Sequence, residues 1–406
     1  MTQTQPYDVI IVGGGMVGMS LAVGLAQQGS SVAVIEKGAM PAQLDKNFDG
    51  RVSAIAFGSK VILDNIGAWK GMKAHAEPIL DIRVSDNKSP IFLHYDHEEV
   101  GDEPFGYIVE NRHIRHALQQ AASEHESLTI FDEQQVKGVV QSDDSVVVEL
   151  HDGNTLQAKL LVGADGKNSF VRKLAGIEVT QWGYKQTAIV CTIEHELPHH
   201  GLAQERFLPA GPFAVLPMQN NRSSLVWVEP DDRVNIYMEL DEAEFVQEIE
   251  ERVGGYLGKI STVGKRFAYP LSLLHAKEYT AGRIALIGDA AHGMHPIAGQ
   301  GVNLGFRDVG VLLELIEGAE GSKLNIGNDE ILNHYAKWRR FDNVAMLAAT
   351  DSLNRLFCMN NMPVRLARNL GLWAVGKTPA VKRYFMRHAM GLEGDLPDKG
   401  KISAKS

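Results

Sequence analysis

The stretch Asp8-Val9-Ile10-Ile11-Val12-Gly13-Gly14-Gly15-Met16-Val17-Gly18 decides the fold. Its first five residues are β-branched or apolar except for the leading acid, the pattern of a strand buried on both faces. Three glycines at GxGxxG spacing follow. Gly13 makes the tight turn, Gly15 lets a pyrophosphate approach the backbone, and Gly18 lets the next helix pack close to the strand. Helical spacing then runs from Met19 to Gln28, with Gly29 as its stop. A second apolar strand, Ser31–Ile35, ends at Glu36, where a carboxylate can accept hydrogen bonds from both hydroxyls of a ribose. Strand, glycine turn, helix, strand and acid in this register predict a dinucleotide site, with the anion held at a helix N-terminus. The unit by itself does not separate NAD from FAD.

The discriminating stretch lies far downstream. Ile284–Ile287 reads as a buried strand delivering Gly288-Asp289, and Pro296 to Gly301 form a glycine-rich loop that opens a helix at Asn303. Asp289 can bond a second hydroxyl chain, and the second helix N-terminus suits a ring edge carrying negative charge. An NAD dehydrogenase has no use for this second element. Between the two lies Leu161–Arg172, with Asp165-Gly166 in a strand-to-helix turn.

The rest of the chain supplies the frame. The segment from Asp49 to Trp69 is expected to be helical, as is Glu110–His125. Leu128–Phe131, Val136–Gln141, Ser145–Leu150 and Thr155–Val162 are expected to form an antiparallel ribbon, with Asp152-Gly153 as a hairpin turn. Residues 180–275 alternate short β-type runs with turns, interrupted by one helix at Asp241–Val253, and the chain is helical beyond Asn303 to about residue 390. The expected class is α/β: a GxGxxG Rossmann-like FAD-binding domain with an inserted, mainly β substrate domain and C-terminal helices. The boundaries assign 1–75, 101–180 and 276–340 to the FAD-binding domain, 76–100 and 181–275 to the substrate domain, and 341–406 to C-terminal helices and tail.

Composition excludes other classes. The 406 residues carry a formal charge of −10, with no basic footprint for nucleic acid. Cys191 and Cys358 form no CxxC pair, and the fifteen histidines show no ligand spacing, so neither a disulfide framework nor a metal site is expected. No apolar run reaches the length of a membrane span, and Met1–Tyr7 lacks the layout of a secretory signal. A cytoplasmic protein is expected. Residues 361–406 hold nine lysines and arginines against three acids, with Trp373, Tyr384 and Phe385 interleaved. Such a segment suits either an ordinary basic surface or peripheral contact with an anionic inner-membrane face.

The three glycine and aspartate markers together resemble the group A flavoprotein monooxygenases, which have the para-hydroxybenzoate hydroxylase fold. Asp49–Ala56, Val109–Arg115, Glu205–Pro212 and Ala348–Phe357 look like the ubiquinone-biosynthesis hydroxylases, and the likeness runs through essentially the whole chain. The resemblance implies bound FAD, with NAD(P)H and O2 as transient co-substrates, and a C4a-hydroperoxyflavin that hydroxylates the ring of a polyprenylated phenol. It implies Gly13, Gly15 and Gly18 at the pyrophosphate, Glu36 at the adenosine ribose and Val136 near the adenine. Arg51 and Arg112 would contact the ribityl-phosphate region, with solvated helix charges as the alternative. Asp289 would bond the ribitol, Gly299, Gln300, Gly301, Val302 and Asn303 would lie along the isoalloxazine, and Pro296 would sit near its C4a edge. His292 and His295 read as loop-shaping hydrogen-bonders. No catalytic base is identified; Tyr184, Gln204, Glu205, Arg206 and Trp227 are unranked candidates in the substrate region. A homo-oligomer or a quinone-biosynthesis complex is the implied partner. An FAD-dependent epoxidase or reductase of an isoprenoid lipid, and a non-catalytic FAD-binding redox subunit, remain open alternatives.

Overall fold

A computed structural model describes residues 5–40, 44, 50–87, 89, 91–294, 299–322, 324–359 and 361–397. Strands and helices are numbered in chain order. β1 (Gln5–Val12) is the centre of the first sheet. β2 (Val32–Ile35) and then β8 (Leu128–Phe131) lie parallel on one side, β11 (Thr155–Gly163) and then β18 (Ile284–Leu286) on the other. β9 (Val136–Gln141) and β10 (Val146–Leu150) form an antiparallel ribbon on β11, and β17 (Thr280–Ala281) pairs antiparallel with β18. Val9, Ile10 and Ile11 are fully buried, as a central parallel strand covered on both faces requires. One cover is α1 (Met16–Gln27), the helix that opens the chain's βαβ unit.

The second sheet runs β19 (His292–Gly293), β16 (Ile260–Ala276), β12 (Val179–His195), β15 (Arg222–Pro230), β14 (Gly211–Met218), β13 (Leu202–Leu208), β5 (Asp81–Asp86), β6 (Phe92–Asp96). Its side chains divide by the two-residue period of a strand. Ile189, Cys191, Phe213, Val215, Leu225 and Trp227 pack beneath α7 (Glu242–Val253). Their neighbours Ala188, Val190, Ala214, Leu216, Val226 and Val228 line a cavity on the opposite face. A third sheet joins β3 (Val52–Ala56), β7 (Gly106–Glu110) and β4 (Ala76–Ile79). Of the segment 76–100 expected in the substrate region, 81–86 and 92–96 join the second sheet, whereas 76–79 pairs with β7.

Three expectations are corrected. The described part of the Asp49–Trp69 segment does not start as a helix. Val52–Ala56 is a strand, because the alternating Val-Ser-Ala-Ile-Ala run finds an antiparallel partner in β7, and only then come α2 (Phe57–Asn65) and α3 (Trp69–Met72). Leu128–Phe131 leaves the expected ribbon and lies parallel to β2, because α4 (Asn111–Ser123) carries the chain back before it. A helix, α6 (Asp231–Glu239), precedes α7, its first turn carrying Asp231 and Asp232 where the helix dipole favours acids. After the short α5 (Phe170–Leu174), the C-terminal helices are α8 (Gly301–Gly321), α9 (Asp329–Cys358), α10 (Met362–Lys377) and α11 (Pro379–Ala389). Pro379 sits at the start of α11, where its missing N–H costs nothing, and it separates α11 from α10.

Candidate active site

The parallel strands β1, β11 and β18 end side by side, and the turns beyond them, at Gly15, Ala164 and Gly288, open onto one cavity of about 1320 Å³. That is larger than the ~300–1,000 Å³ of an ordinary small-molecule pocket. Its position beyond the carboxyl ends of a parallel sheet is where open α/β sheets bind ligands.

The three glycines of the first turn differ in what surrounds them. Gly13 has φ +109°, and a Cβ there would lie 2.4 Å from the Ala164 carbonyl oxygen. A Cβ on Gly18 would lie 2.0 Å from the Gly13 carbonyl oxygen. Both are packing glycines. Gly15 has ordinary φ and nothing within 4 Å of its Cβ position, so the space there is open to a ligand. α1 starts at Gly15 with no side-chain cap and no acid in its first turn. Its free N–H groups and dipole are therefore available to an anion. Beside them, Glu36 accepts hydrogen bonds from the N–H groups of Gly14 at 2.7 Å and Gly38 at 2.9 Å. The carboxylate is thus held at the turn with lone pairs to spare for hydroxyl donors.

A second cradle faces the same cavity. The Gly288–Ala290 turn presents Asp289, whose carboxyl is open to the cavity although protein surrounds it; burial raises its pKa, against the lowering influence of His292 and Lys167. The turn is fixed from behind by Asp308 of α8, which is fully buried. One oxygen of Asp308 accepts from the Gly288 N–H at 2.9 Å and bonds His292 at 2.6 Å; the other accepts from Arg339 at 2.7 Å. Burial would raise the Asp308 pKa, but the charges and hydrogen bonds of His292 and Arg339 prevail and lower it. α8 also starts without a side-chain cap, and Gly299, Gln300, Gly301, Val302 and Asn303 line the cavity at that end.

The side chain of Asn303 is committed to protein. It accepts from the Ala56 N–H at 2.9 Å and donates to the carbonyls of Ala54 at 2.8 Å and Gly299 at 3.0 Å. Asn303 therefore clamps β3 to the α8 loop, and β3 in turn follows Arg51, which lines the cavity. Asp165 is likewise structural, accepting from Ser169 and from the N–H groups of Phe170 and Val171. Arg172 ties α5 to the Asp289 turn through the carbonyls of Lys167 and Ala290.

Other expected residues stand elsewhere. Arg112 donates to Glu110 at 2.7 Å and borders a separate cavity of about 250 Å³; its neighbour Asn111 is the α4 residue on the large cavity. A helix turns by about 100° per residue, so adjacent positions point apart. Val136 is buried in the core beneath the first sheet rather than on the cavity wall. Pro296 and His295 lie outside the described residues. His292 is buried and bonded to Asp308, in keeping with a loop-shaping role. Of the substrate-region candidates, Trp227 is spent on Glu229 at 2.7 Å and on the Arg252 guanidinium, and Arg206 on backbone carbonyls; Gln204 and Glu205 are on the cavity. Asn111 and Asp308 were not anticipated. The adjacent charges Arg307 and Asp308 inside the apolar run Leu304–Leu313 of α8 are the sequence signal that points to a buried charge network.

Two uncapped helix starts, Glu36 held at the first turn, Asp289 on the cavity and a small-residue path between them fit one elongated ligand. Its anionic middle would meet α1 and its flat end α8; the donor set suits FAD.

The chain matches the family described as FAD binding domain over residues 6–349. It is 49% identical over 384 residues to ubiquinone hydroxylase UbiL of Rhodospirillum rubrum, covering 95% of this chain and 89% of that protein. It is 36% identical to the 3-demethoxyubiquinol 3-hydroxylase of Escherichia coli, covering 96% of this chain and 99% of that one. Among solved structures, p-nitrophenol 4-monooxygenase PnpA of Pseudomonas putida superposes with a TM-score of 0.79 at 21% identity, over 96% of this chain and 99% of that one.

Proposed function

This chain belongs to the FAD-binding-domain family and is an FAD-dependent monooxygenase, and from that premise we propose that it hydroxylates the aromatic ring of a prenylated phenol in ubiquinone biosynthesis, with NAD(P)H and O2 as co-substrates. The observation that carries the reading is the continuity of the cavity. Glycine turns and Asp289 line one part; Leu353, Leu372, Tyr384 and Phe385 line another. A lipid-tailed phenol needs such an apolar run beside the cofactor.

When bound, FAD supplies the electrons and the oxygen activation for inserting one oxygen atom. The chain's own residues hold and shield it. N–H groups at the start of α1 would hold the pyrophosphate, Glu36 the adenosine ribose and Asp289 the ribitol. The start of α8 would stabilise negative charge on the ring. The apolar sheet face of Ala188, Val190, Val226 and Val228 keeps water from the reacting centre.

Among the described residues no helix is long and apolar enough to cross a membrane. The proposed route to a lipid substrate is a peripheral contact. On α10, Met362, Leu366, Leu370 and Trp373 are between 51% and 67% exposed at helical spacing, and the same helix carries exposed Arg365 and Lys377. Apolar residues with basic neighbours suit an anionic lipid surface.

The test is to supply FAD-loaded protein with NAD(P)H, ¹⁸O₂ and a prenylated phenol, with and without anionic vesicles, and to weigh the product. One ¹⁸O atom in the ring supports the reading. Oxygen incorporated only into an alkene offered in parallel would replace it with epoxidation.

A further inference from the structure

Among the cavity-lining residues contributed by the second sheet, Glu205 carries the only carboxyl group. Its cross-strand partners are Val84 on β5 and Ala214 on β14, and Ala203 and Phe207 flank it on the same face of β13. All four are apolar. No hydrogen bond or ion pair engages its side chain among the described residues. An acid placed on an apolar wall without a protein partner is a costly arrangement, and such groups cluster where a ligand completes them.

Resting on the phenol reading above, we propose that Glu205 is the base that takes the phenolic proton of the substrate. Loss of water around the carboxyl pushes its pKa up to about 8, and burial is the sole cause. The charged groups on the packed elements are engaged elsewhere: on β5, Asp81 bonds His94 at 2.6 Å and Arg83 lies over the Phe92 ring. Asp86 of β5 is paired with Arg368 of α10 at 3.0 Å, Asp351 of α9 with Arg355 at 2.8 Å, and β14 carries no titratable side chain. Lys167, Asp289, Asp342 and His388 line the same cavity. A phenol has a pKa of about 10, so transfer to this carboxylate is uphill by about a hundredfold, where an ordinary glutamate would face a factor above ~10⁵.

The phenolic O–H bond breaks, its proton goes to a Glu205 oxygen, and the freed electron pair moves into the ring. The ring carbon forms its bond to one oxygen atom derived from O2, with NAD(P)H as reductant. That carbon then loses its hydrogen as a proton, which returns to the former phenolic oxygen and restores aromaticity. The second oxygen atom leaves as water, taking one proton from Glu205 and one supplied with the two electrons of NAD(P)H.

The experiment uses the FAD-loaded enzyme, Glu205→Gln and Glu205→Asp. The wild type is expected to show kcat/KM rising tenfold per pH unit to a break near pH 8. Glu205→Gln should keep its flavin, lose at least about 100-fold in kcat and lose the pH limb; Glu205→Asp should restore the limb. Difference spectra with 4-nitrophenol give a readout besides turnover: the wild type should bind it ionised at a lower pH than Glu205→Gln does. A Gln variant that keeps the limb overturns the proposal. If that variant does not fold, a wild type with no break between about pH 6 and 9 overturns it instead. A wild type that hydroxylates no phenol at all overturns the functional reading rather than the assignment of Glu205.

Discussion

Asp308 reaches out of the middle of α8 to accept a hydrogen bond from the Gly288 N–H at 2.9 Å, so a helix buried in the core sets the turn that carries Asp289. The same carboxylate holds His292 and Arg339, both buried. Removing its charge takes one of two carboxylate partners from the buried Arg339 guanidinium, which keeps Asp342 at 2.7 Å. Asp308→Asn is expected to cost ~1–3 kcal/mol in chemical denaturation and to reduce bound flavin.

The same pair sets an acid limit. The Asp308 pKa is lowered in the folded protein, so its stabilisation is present above the ordinary aspartate value of 3.8 and is lost as pH falls below it toward the folded value. A pH series of denaturation midpoints should drop more steeply below about pH 4 in the wild type than in Asp308→Asn. Parallel curves would contradict this.

Gly15 and Gly18 should respond in opposite ways to the same methyl group. Gly18→Ala places a Cβ 2.0 Å from the Gly13 carbonyl oxygen, so the helix must shift, and the apo-protein should lose stability and yield. Gly15→Ala meets nothing within 4 Å in the protein, so the apo-protein should melt like the wild type. Its methyl group projects into the expected pyrophosphate path, and FAD affinity should fall at least about tenfold, or ~1.4 kcal/mol. Calorimetric titration with FAD beside thermal melts separates the two effects.

Asp289 illustrates a conflict between stability and binding. Burial raises its folded pKa, so the strain of ionising it is absent below pH 3.8 and grows as pH rises through the folded value. Asp289→Asn is therefore expected to raise the apo melting temperature at pH 7 while weakening flavin binding. An unchanged FAD affinity would remove Asp289 from the cofactor site.

How much of this was legible in the sequence depended on range. The βαβ unit was readable because its signals are local: a strand, a glycine turn and a helix within a few residues. The second cradle was readable for the same reason. Val52–Ala56 was misread as helix because its partner, β7, is some fifty residues away, and pairing decides strand over helix in a short apolar run. Likewise nothing local reveals that Asn303 spends its amide on Ala56 and Ala54, or that Arg112 turns to Glu110 while Asn111 meets the cavity. Glu205 stood unranked among five polar residues until the register of β13 against Val84 and Ala214 gave it an apolar setting.

The most direct measurement is titration of apo-protein with FAD, read by calorimetry and visible absorbance, in the wild type, Gly15→Ala and Asp289→Asn. One flavin per chain, weakened at either end by substitutions in cradles far apart in sequence, is the predicted result. A protein that takes up no flavin, or one whose affinity ignores both substitutions, would contradict the claim that the two cradles hold a single cofactor.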